Sequence, residues 1–145
     1  MQPLKASEFL PQQAPFLLVD RMLSCEQHLC HTDFLVPAVH PLVKGGILLE
    51  AGVLENIAQS CATHIGYLSR NIPVRIGVVA SIRNLKIHAL PKVGERVETV
   101  VEEQGDPIFS VSIYRAKVMV EGQLVAEGEM RVVLTDKEPT PAVAK

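Results

Sequence analysis

The chain has 145 residues, nearly half of them hydrophobic, and a formal net charge of −2. This length and composition suit a single domain with a sizeable core, and the near-neutral charge argues against nucleic acid or an anionic membrane as the main partner. The N-terminus has no apolar run long enough for a signal peptide, and the three cysteines, Cys25, Cys30 and Cys61, are an odd number. A reduced, cytoplasmic protein is the simplest interpretation.

The first elements in chain order are short. The apolar run PFLLVDRML, which starts at Pro15, predicts a strand, and roughly residues 28–36 predict a second one. A loop, PAVHPLVKGG, begins at Pro37 and leads to the next element. Its two glycines, Gly45 and Gly46, allow the backbone to approach a neighbour closely.

Residues 45–67, GGILLEAGVLENIAQSCATHIGY, predict one long buried helix. Apolar residues recur three or four positions apart, and a second apolar row fills much of the remaining circumference. A membrane span is excluded because several polar residues would each be costly in lipid: Glu50, Glu55, Asn56, Gln59 and His64. Glu55 is unusual, because it lies in mid-helix between apolar neighbours.

After Pro73 the hydrophobic period changes from about 3.6 to 2, which predicts four strands joined by short turns. Changes of parity predict one bulge near Asn84 and another near Tyr114. Glu121 and Gly122 predict a tight hairpin turn before the last strand. The pattern as a whole predicts an α+β domain over residues 1–135, with an antiparallel sheet curved around the helix, and a flexible tail over residues 136–145.

Four stretches of sequence carry a resemblance to a known family. They read LPQQAPFLLVDRML, GVLENIAQSCA, IGVVASIRNLKIHALPKVGERV and VMVEGQLVAEGEMRVVL, and they cover most of residues 10–134. These stretches resemble the 3-hydroxyacyl-[acyl-carrier-protein] dehydratases, which have the hot-dog fold. The resemblance implies a lyase of lipid metabolism that acts on fatty-acyl or polyene-type 3-hydroxyacyl thioesters, carried on acyl carrier protein or CoA. It also implies a dimer in which each site takes catalytic residues from both subunits.

The loop before the helix departs from the family pattern. Relatives have a Gly-His-Phe-Pro element there, and its histidine is the second catalytic residue, whereas this chain has PAVHPLVKGG. Counting back from Glu55 puts the family histidine at Pro41, one position from His40. Either a one-residue shift lets His40 take the catalytic role, or the histidine function is lost and His40 is incidental.

Dehydration needs a base at C2, an acid for the leaving 3-hydroxyl group and a donor for the enolate oxygen. Glu55 is the expected acid, kept protonated by its apolar neighbours, and His40 is the candidate base, since imidazole titrates near neutrality. Gly45, Gly46 and Ile47, at the expected helix start, would offer N–H groups to the thioester oxygen. Gln59, one turn after Glu55, would bind substrate and orient the carboxyl group.

No metal and no cofactor are predicted. Four neighbouring residues are of types that bind zinc, but their spacing matches no familiar finger: Cys25, His28, Cys30 and His31. The expected assembly is a homodimer or an oligomer of dimers, or a heterodimer with a related hot-dog protein, because curved sheets with free edges favour pairing. Two rival functions stay open: a non-catalytic or supporting hot-dog subunit beside a complete dehydratase, and an acyl-CoA thioesterase.

Overall fold

The computed structural model describes residues 1–71 and 75–136. Within these ranges the chain forms one α-helix, nine strands and a 3-10 turn. The strands before the helix are short, and those after it are long. In chain order the elements are β1 (Leu4–Lys5), the 3-10 turn (Ala6–Glu8), β2 (Arg21–Cys25), β3 (Leu29–Leu35), β4 (Val43–Lys44), β5 (Ile47–Leu48), α1 (Glu50–Leu68), β6 (Arg75–Ile87), β7 (Arg96–Glu103), β8 (Val111–Val120) and β9 (Gln123–Asp136).

Seven strands form one antiparallel sheet in the order β1-β2-β3-β7-β8-β9-β6, and β4 and β5 form a separate small hairpin. The helix packs against this sheet, mainly against β6, β3 and β7. The predicted α+β architecture is therefore confirmed. Strand β6 lies at one end of the strand order, so one side of this 13-residue strand is a sheet edge.

The core lies between α1 and the sheet. The helix contributes buried Val53, Ile57 and Cys61, and the sheet strands contribute Val97, Val101 and other apolar residues that alternate along them. Fully burying an aliphatic side chain of this size contributes roughly 1.5–3 kcal/mol. Apolar residues therefore recur at regular intervals in the helix and the strands because those positions face the shared core.

The start of the helix differs from the prediction. Gly45 and Gly46 have φ angles of 60° and 76° and form the two-residue turn of the β4–β5 hairpin, and α1 begins only at Glu50. Two consecutive residues with positive φ are typical of a tight hairpin turn, and glycine adopts that conformation without steric cost. The predicted helix start at residues 45–47 is wrong.

The two predicted bulges had different outcomes. The irregularity near Asn84 is confirmed, because the register of β6 with β9 shifts between Arg83 and Lys86 and Asn84 has a φ of 53°. The bulge near Tyr114 is wrong, since β8 pairs with β7 in unbroken register through that residue. The apparent change of parity arose because Tyr114, a residue with a polar hydroxyl, occupies an inward position of β8.

Three further predictions concern the segment before β2, the turn before β9 and the C-terminal tail. The segment from Pro15 was expected to be a strand, but β2 begins only at Arg21. The predicted hairpin turn before β9 is confirmed, with positive φ at Glu121 and Gly122. The predicted flexible tail lies, apart from its first residue, outside the described residues.

Candidate functional site

The side chains of Glu55 and Gln59 lie one turn apart on the same face of α1 and are hydrogen-bonded to each other. Gln59 Nε2 donates to Glu55 Oε2 over 2.9 Å. Gln59 is 1% exposed, whereas Glu55 is only half-buried within this chain. The predicted contact between the two residues is therefore present in the structure, and it leaves the second carboxyl oxygen, Oε1, free of this bond.

Residues 16–18 run across this face of the helix, and we call them the strap. Gln59 Oε1 accepts the N–H of Leu18 over 2.8 Å, and Gln59 Nε2 donates to the carbonyl of Phe16 over 2.9 Å. Asn56 Nδ2 donates to the carbonyl of Leu18 over 2.7 Å. The strap is therefore held by side chains of the helix rather than by a neighbouring strand, which explains why it is not part of the sheet.

His40 lies on the other side of the strap and bonds only to backbone atoms through its ring. Its Nε2 lies 3.0 Å from the carbonyl oxygen of Leu17, and the N–H of Leu42 donates to its Nδ1 over 3.0 Å. A carbonyl can only accept and an amide N–H can only donate, so the ring is the neutral tautomer with its proton on Nε2. The ring also has an edge contact with Phe34, at a centroid distance of 6.2 Å.

His40 binds the strap directly, whereas Glu55 is linked to it through Gln59. The carbonyl of Leu17 and the N–H of Leu18 belong to one peptide group, and the first binds His40 while the second binds Gln59. Gln59 in turn binds Glu55. Whether His40 acts as a base stays a prediction.

Gly45, Gly46 and Ile47 lie at the small hairpin rather than in the first helical turn. The carbonyl of Gly46 accepts the N–H of Val93, and Ile47 forms a bridge with Lys92, so the hairpin is attached to the β6–β7 connection. The helix dipole therefore does not act at residues 45–47. Gly45 and Gly46 are exposed and Ile47 is half-buried, and the role of the three in substrate binding stays a prediction.

Sequence reasoning missed the buried polar partners of the strap. Asn56 is fully buried, and besides its bond to Leu18 it accepts a hydrogen bond from the Thr99 hydroxyl over 2.6 Å. A continuous chain of hydrogen bonds therefore runs from Thr99 on β7 through Asn56 on the helix to Leu18 in the strap. The available signal was the pair of amide residues, Asn56 and Gln59, spaced three apart beside the unusual Glu55.

A second polar cluster lies on the opposite face of α1, since His64 is nine positions after Glu55 along the helix. His64 is fully buried and bonds to the Tyr114 hydroxyl over 2.7 Å. Burial lowers the pKa of His64, while backbone carbonyls and Glu103 act in the opposite direction. The cluster borders a partly open cavity of about 210 Å³ that Leu68 and other apolar residues also line.

Burial likewise raises the pKa of the Tyr114 hydroxyl, so that group is a neutral donor to His64.

Cys25 and Cys30 are cross-strand neighbours in the β2–β3 hairpin and are both free thiols. No group of three or more His, Cys, Asp or Glu side chains in residues 1–71 and 75–136 is arranged to hold a metal ion. Over the same ranges, no helix is long and apolar enough to cross a membrane.

Comparison with known proteins gives consistent results. A family model described as ApeP-like, ApeP dehydratase, matches residues 4–142. The chain is 26% identical over 155 residues to the 3-hydroxyacyl-[acyl-carrier-protein] dehydratase FabZ of Campylobacter lari, a match that covers 92% of this chain and 97% of the relative.

Solved structures resemble the fold at low identity. One is the dehydratase heterocomplex ApeI:P from Xenorhabdus doucetiae, with a TM-score of 0.84 and 15% identity over 92% of this chain and 93% of that chain. Another is a Streptococcus mutans protein bound to acetyl CoA, with a TM-score of 0.68 and 16% identity over 90% of this chain and 98% of that chain. These likenesses confirm the predicted hot-dog fold.

Proposed function

The chain belongs to the ApeP-like dehydratase family, and on that premise we propose that it is one subunit of a two-chain hot-dog dehydratase. The proposed substrate is a 3-hydroxyacyl thioester carried on acyl carrier protein or CoA. The proposed product is the corresponding 2-enoyl thioester, with one water released. No cofactor takes part in this reaction, because it is an elimination that needs only proton transfer.

The observation that carries this proposal is the Glu55–Gln59 hydrogen bond. All polar atoms of the Gln59 amide are engaged, since Oε1 accepts from Leu18 and Nε2 donates to Phe16 and to Glu55 Oε2. The amide therefore cannot rotate without losing several bonds, and it always presents an N–H to Oε2. A proton on Glu55 is thereby directed to Oε1, the oxygen that remains for a substrate hydroxyl.

The elimination then balances as follows. A base removes a proton from C2 of the thioester, the C2–H electron pair forms the C2=C3 double bond, and the C3–O bond breaks. Glu55 Oε1 gives its proton to the departing hydroxyl, which leaves as water. Backbone N–H groups of the turn residues Gly45 and Gly46 and of the adjacent Ile47 are the proposed donors to the thioester oxygen.

Two observations support a partner chain of related fold. The structural neighbour with a TM-score of 0.84 is described as a dehydratase heterocomplex. In this chain, the long strand β6 ends the sheet order and provides an edge for pairing with a second sheet. We propose that the partner contributes the histidine that this chain's altered loop does not supply in the family position.

The molecule that carries the acyl chain, acyl carrier protein or CoA, is likewise proposed. A neighbour of the same fold binds acetyl CoA, and relatives by sequence act on acyl carrier protein thioesters. Cytoplasmic location, and the absence of nucleic acid and membranes among its partners, are predictions from the composition and the near-neutral charge of the chain.

The test is to express the chain with a related hot-dog protein from the same cell and to measure dehydration of a 3-hydroxyacyl carrier-protein thioester. Glu55→Gln should lower the rate at least about a hundredfold, in line with loss of a general acid. Glu50→Gln is the matched control, because Glu50 is an exposed residue of the same helix, and it should leave the rate unchanged.

Three outcomes would contradict the proposal. A Glu55→Gln variant with full activity would remove the carboxyl group from the mechanism. Release of free thiol instead of an enoyl thioester would indicate the thioesterase. A wild-type complex with no activity on any 3-hydroxyacyl thioester would favour the non-catalytic supporting subunit.

A further inference from the structure

We propose that His40 is a positioning residue rather than the general base, and that it acts on Glu55 through the strap. This inference rests on the proposed function, because it assigns a role within the same site. Its observations are the two hydrogen bonds of the His40 ring and the single peptide group that lies between His40 and Gln59.

The His40 ring has no free lone pair in this arrangement. The lone pair of Nδ1 receives the N–H of Leu42, and the proton of Nε2 points at the carbonyl of Leu17. A general base must direct a lone pair at the proton that it removes. His40 could do so only by releasing the Leu42 amide, which would leave a half-buried donor without its partner.

The loop around His40 is built to keep the ring in place. The carbonyl of His40 accepts the N–H of Val43, which closes a β-turn with Pro41 at its second position, where proline is favoured. The carbonyl of Leu42 accepts the N–H of Leu49, immediately before α1. The ring is therefore anchored both to its own turn and to the start of the helix.

The connection from His40 to Glu55 is a chain of hydrogen bonds. His40 Nε2 donates to the Leu17 carbonyl over 3.0 Å, and the Leu18 N–H of the same peptide group donates to Gln59 Oε1 over 2.8 Å. Gln59 Nε2 then donates to Glu55 Oε2 over 2.9 Å. Consecutive hydrogen bonds polarise one another, so each link strengthens the next.

The strap has other anchors, which limits the effect of losing His40. Asn56 holds the Leu18 carbonyl and Gln59 holds the Phe16 carbonyl. Removing the His40 ring should therefore loosen the peptide group at residues 17 and 18 without releasing the strap. The consequence for Glu55 is a less well-defined direction of its carboxyl group, and thus a lower rate with an unchanged proton-transfer chemistry.

The first test measures the strap itself and needs no activity. Hydrogen exchange of the Leu18 amide should become about tenfold faster in His40→Ala, the factor expected for loss of one linked hydrogen bond of ordinary strength. His40→Gln should raise it less than threefold, because the glutamine amide can donate to Leu17 as Nε2 does. His88→Ala is the control, since His88 is exposed and bonds to Glu127. Unchanged Leu18 exchange in His40→Ala would overturn the proposal.

The second test uses the complex with its partner chain. A positioning role predicts that His40→Gln stays within threefold of wild type, that His40→Ala loses more, and that both keep the wild-type pH–rate profile. Equal losses of a hundredfold or more in both variants, together with loss of the acidic limb of the profile, would identify His40 as the base and overturn the proposal.

The two tests separate failure of this inference from failure of the proposed function. An inactive wild-type complex would contradict the proposed dehydratase, while the Leu18 exchange rates would still decide whether His40 positions the strap.

Discussion

Replacing Asn56 by alanine should be among the most destabilising single changes in this chain. Asn56 is fully buried at the centre of α1, and its two polar atoms join the strap to strand β7. Alanine keeps the helix, since its helix propensity is higher than that of asparagine. The expected loss therefore comes from tertiary hydrogen bonds and not from the helix itself.

The magnitude follows from the two groups left without a partner. The carbonyl of Leu18 loses the Asn56 amide, and the hydroxyl of Thr99 loses its acceptor, and both residues are fully buried. An unsatisfied buried polar group costs about 1–3 kcal/mol. The two together predict a loss of about 2–6 kcal/mol in the free energy of unfolding, a large share of the roughly 5–15 kcal/mol typical of a domain.

Urea denaturation followed by circular dichroism measures this loss directly. Glu50→Ala is the control on the same helix, because Glu50 is exposed, and it should change stability by less than about 0.5 kcal/mol. Combining Asn56→Ala with Thr99→Val removes both the amide and the orphaned hydroxyl, so the double variant should lose less than the sum of the two single losses. A loss below about 1 kcal/mol for Asn56→Ala, or strict additivity in the double variant, would refute the reasoning.

Three other predictions concern separate parts of the molecule. Burial lowers the pKa of His64 in the folded chain, so as the pH falls the unfolded chain binds this proton before the folded chain does. The stability that His64 contributes is therefore complete above its unfolded pKa of about 6.5 and is lost as the pH falls towards the folded pKa. Melting temperatures at pH 7 and pH 5 should therefore differ less in His64→Gln than in wild type, and an equal difference would contradict this assignment. Gly66→Ala should cost about 1–3 kcal/mol by urea denaturation, since its Cβ would come within 2.3 Å of the Phe9 carbonyl oxygen, a backbone atom; a gain in stability would show that the contact yields freely. Val79 is 45% exposed on the edge strand β6, and Val79→Lys should weaken assembly with a second subunit. Light scattering that shows no change in mass would argue against pairing through this edge.

Local pattern determined much of the fold. The apolar periodicity of residues 45–67 identified the buried helix, although its start was placed five residues too early, and the period of two after it identified the long strands, because both periods follow from backbone geometry alone. The positive-φ turn at Glu121 and Gly122 and the irregularity near Asn84 were also foreseen. Glu55 and Gln59 were expected to meet, since residues four apart on a helix always lie on one face.

Tertiary structure decided the features that depend on partners distant in sequence. Residues 16–18 have a strand-like composition, yet they bind to α1 because Asn56 and Gln59, about forty positions away, satisfy their backbone groups. Tyr114 takes an inward position on β8, where His64, fifty positions away, accepts a hydrogen bond from its hydroxyl group. No local window contains both members of such a pair.

The environment of His40 has the same origin. The sequence alone places a histidine in the loop before the helix, close to the position where the resembled family has its catalytic one. Only the folded chain shows that the ring is held by the Leu17 carbonyl and the Leu42 amide. The physical reason is that a hydrogen bond depends on the position and direction of two groups in space, and residues 17 and 40 are brought together only when the strap packs against the helix.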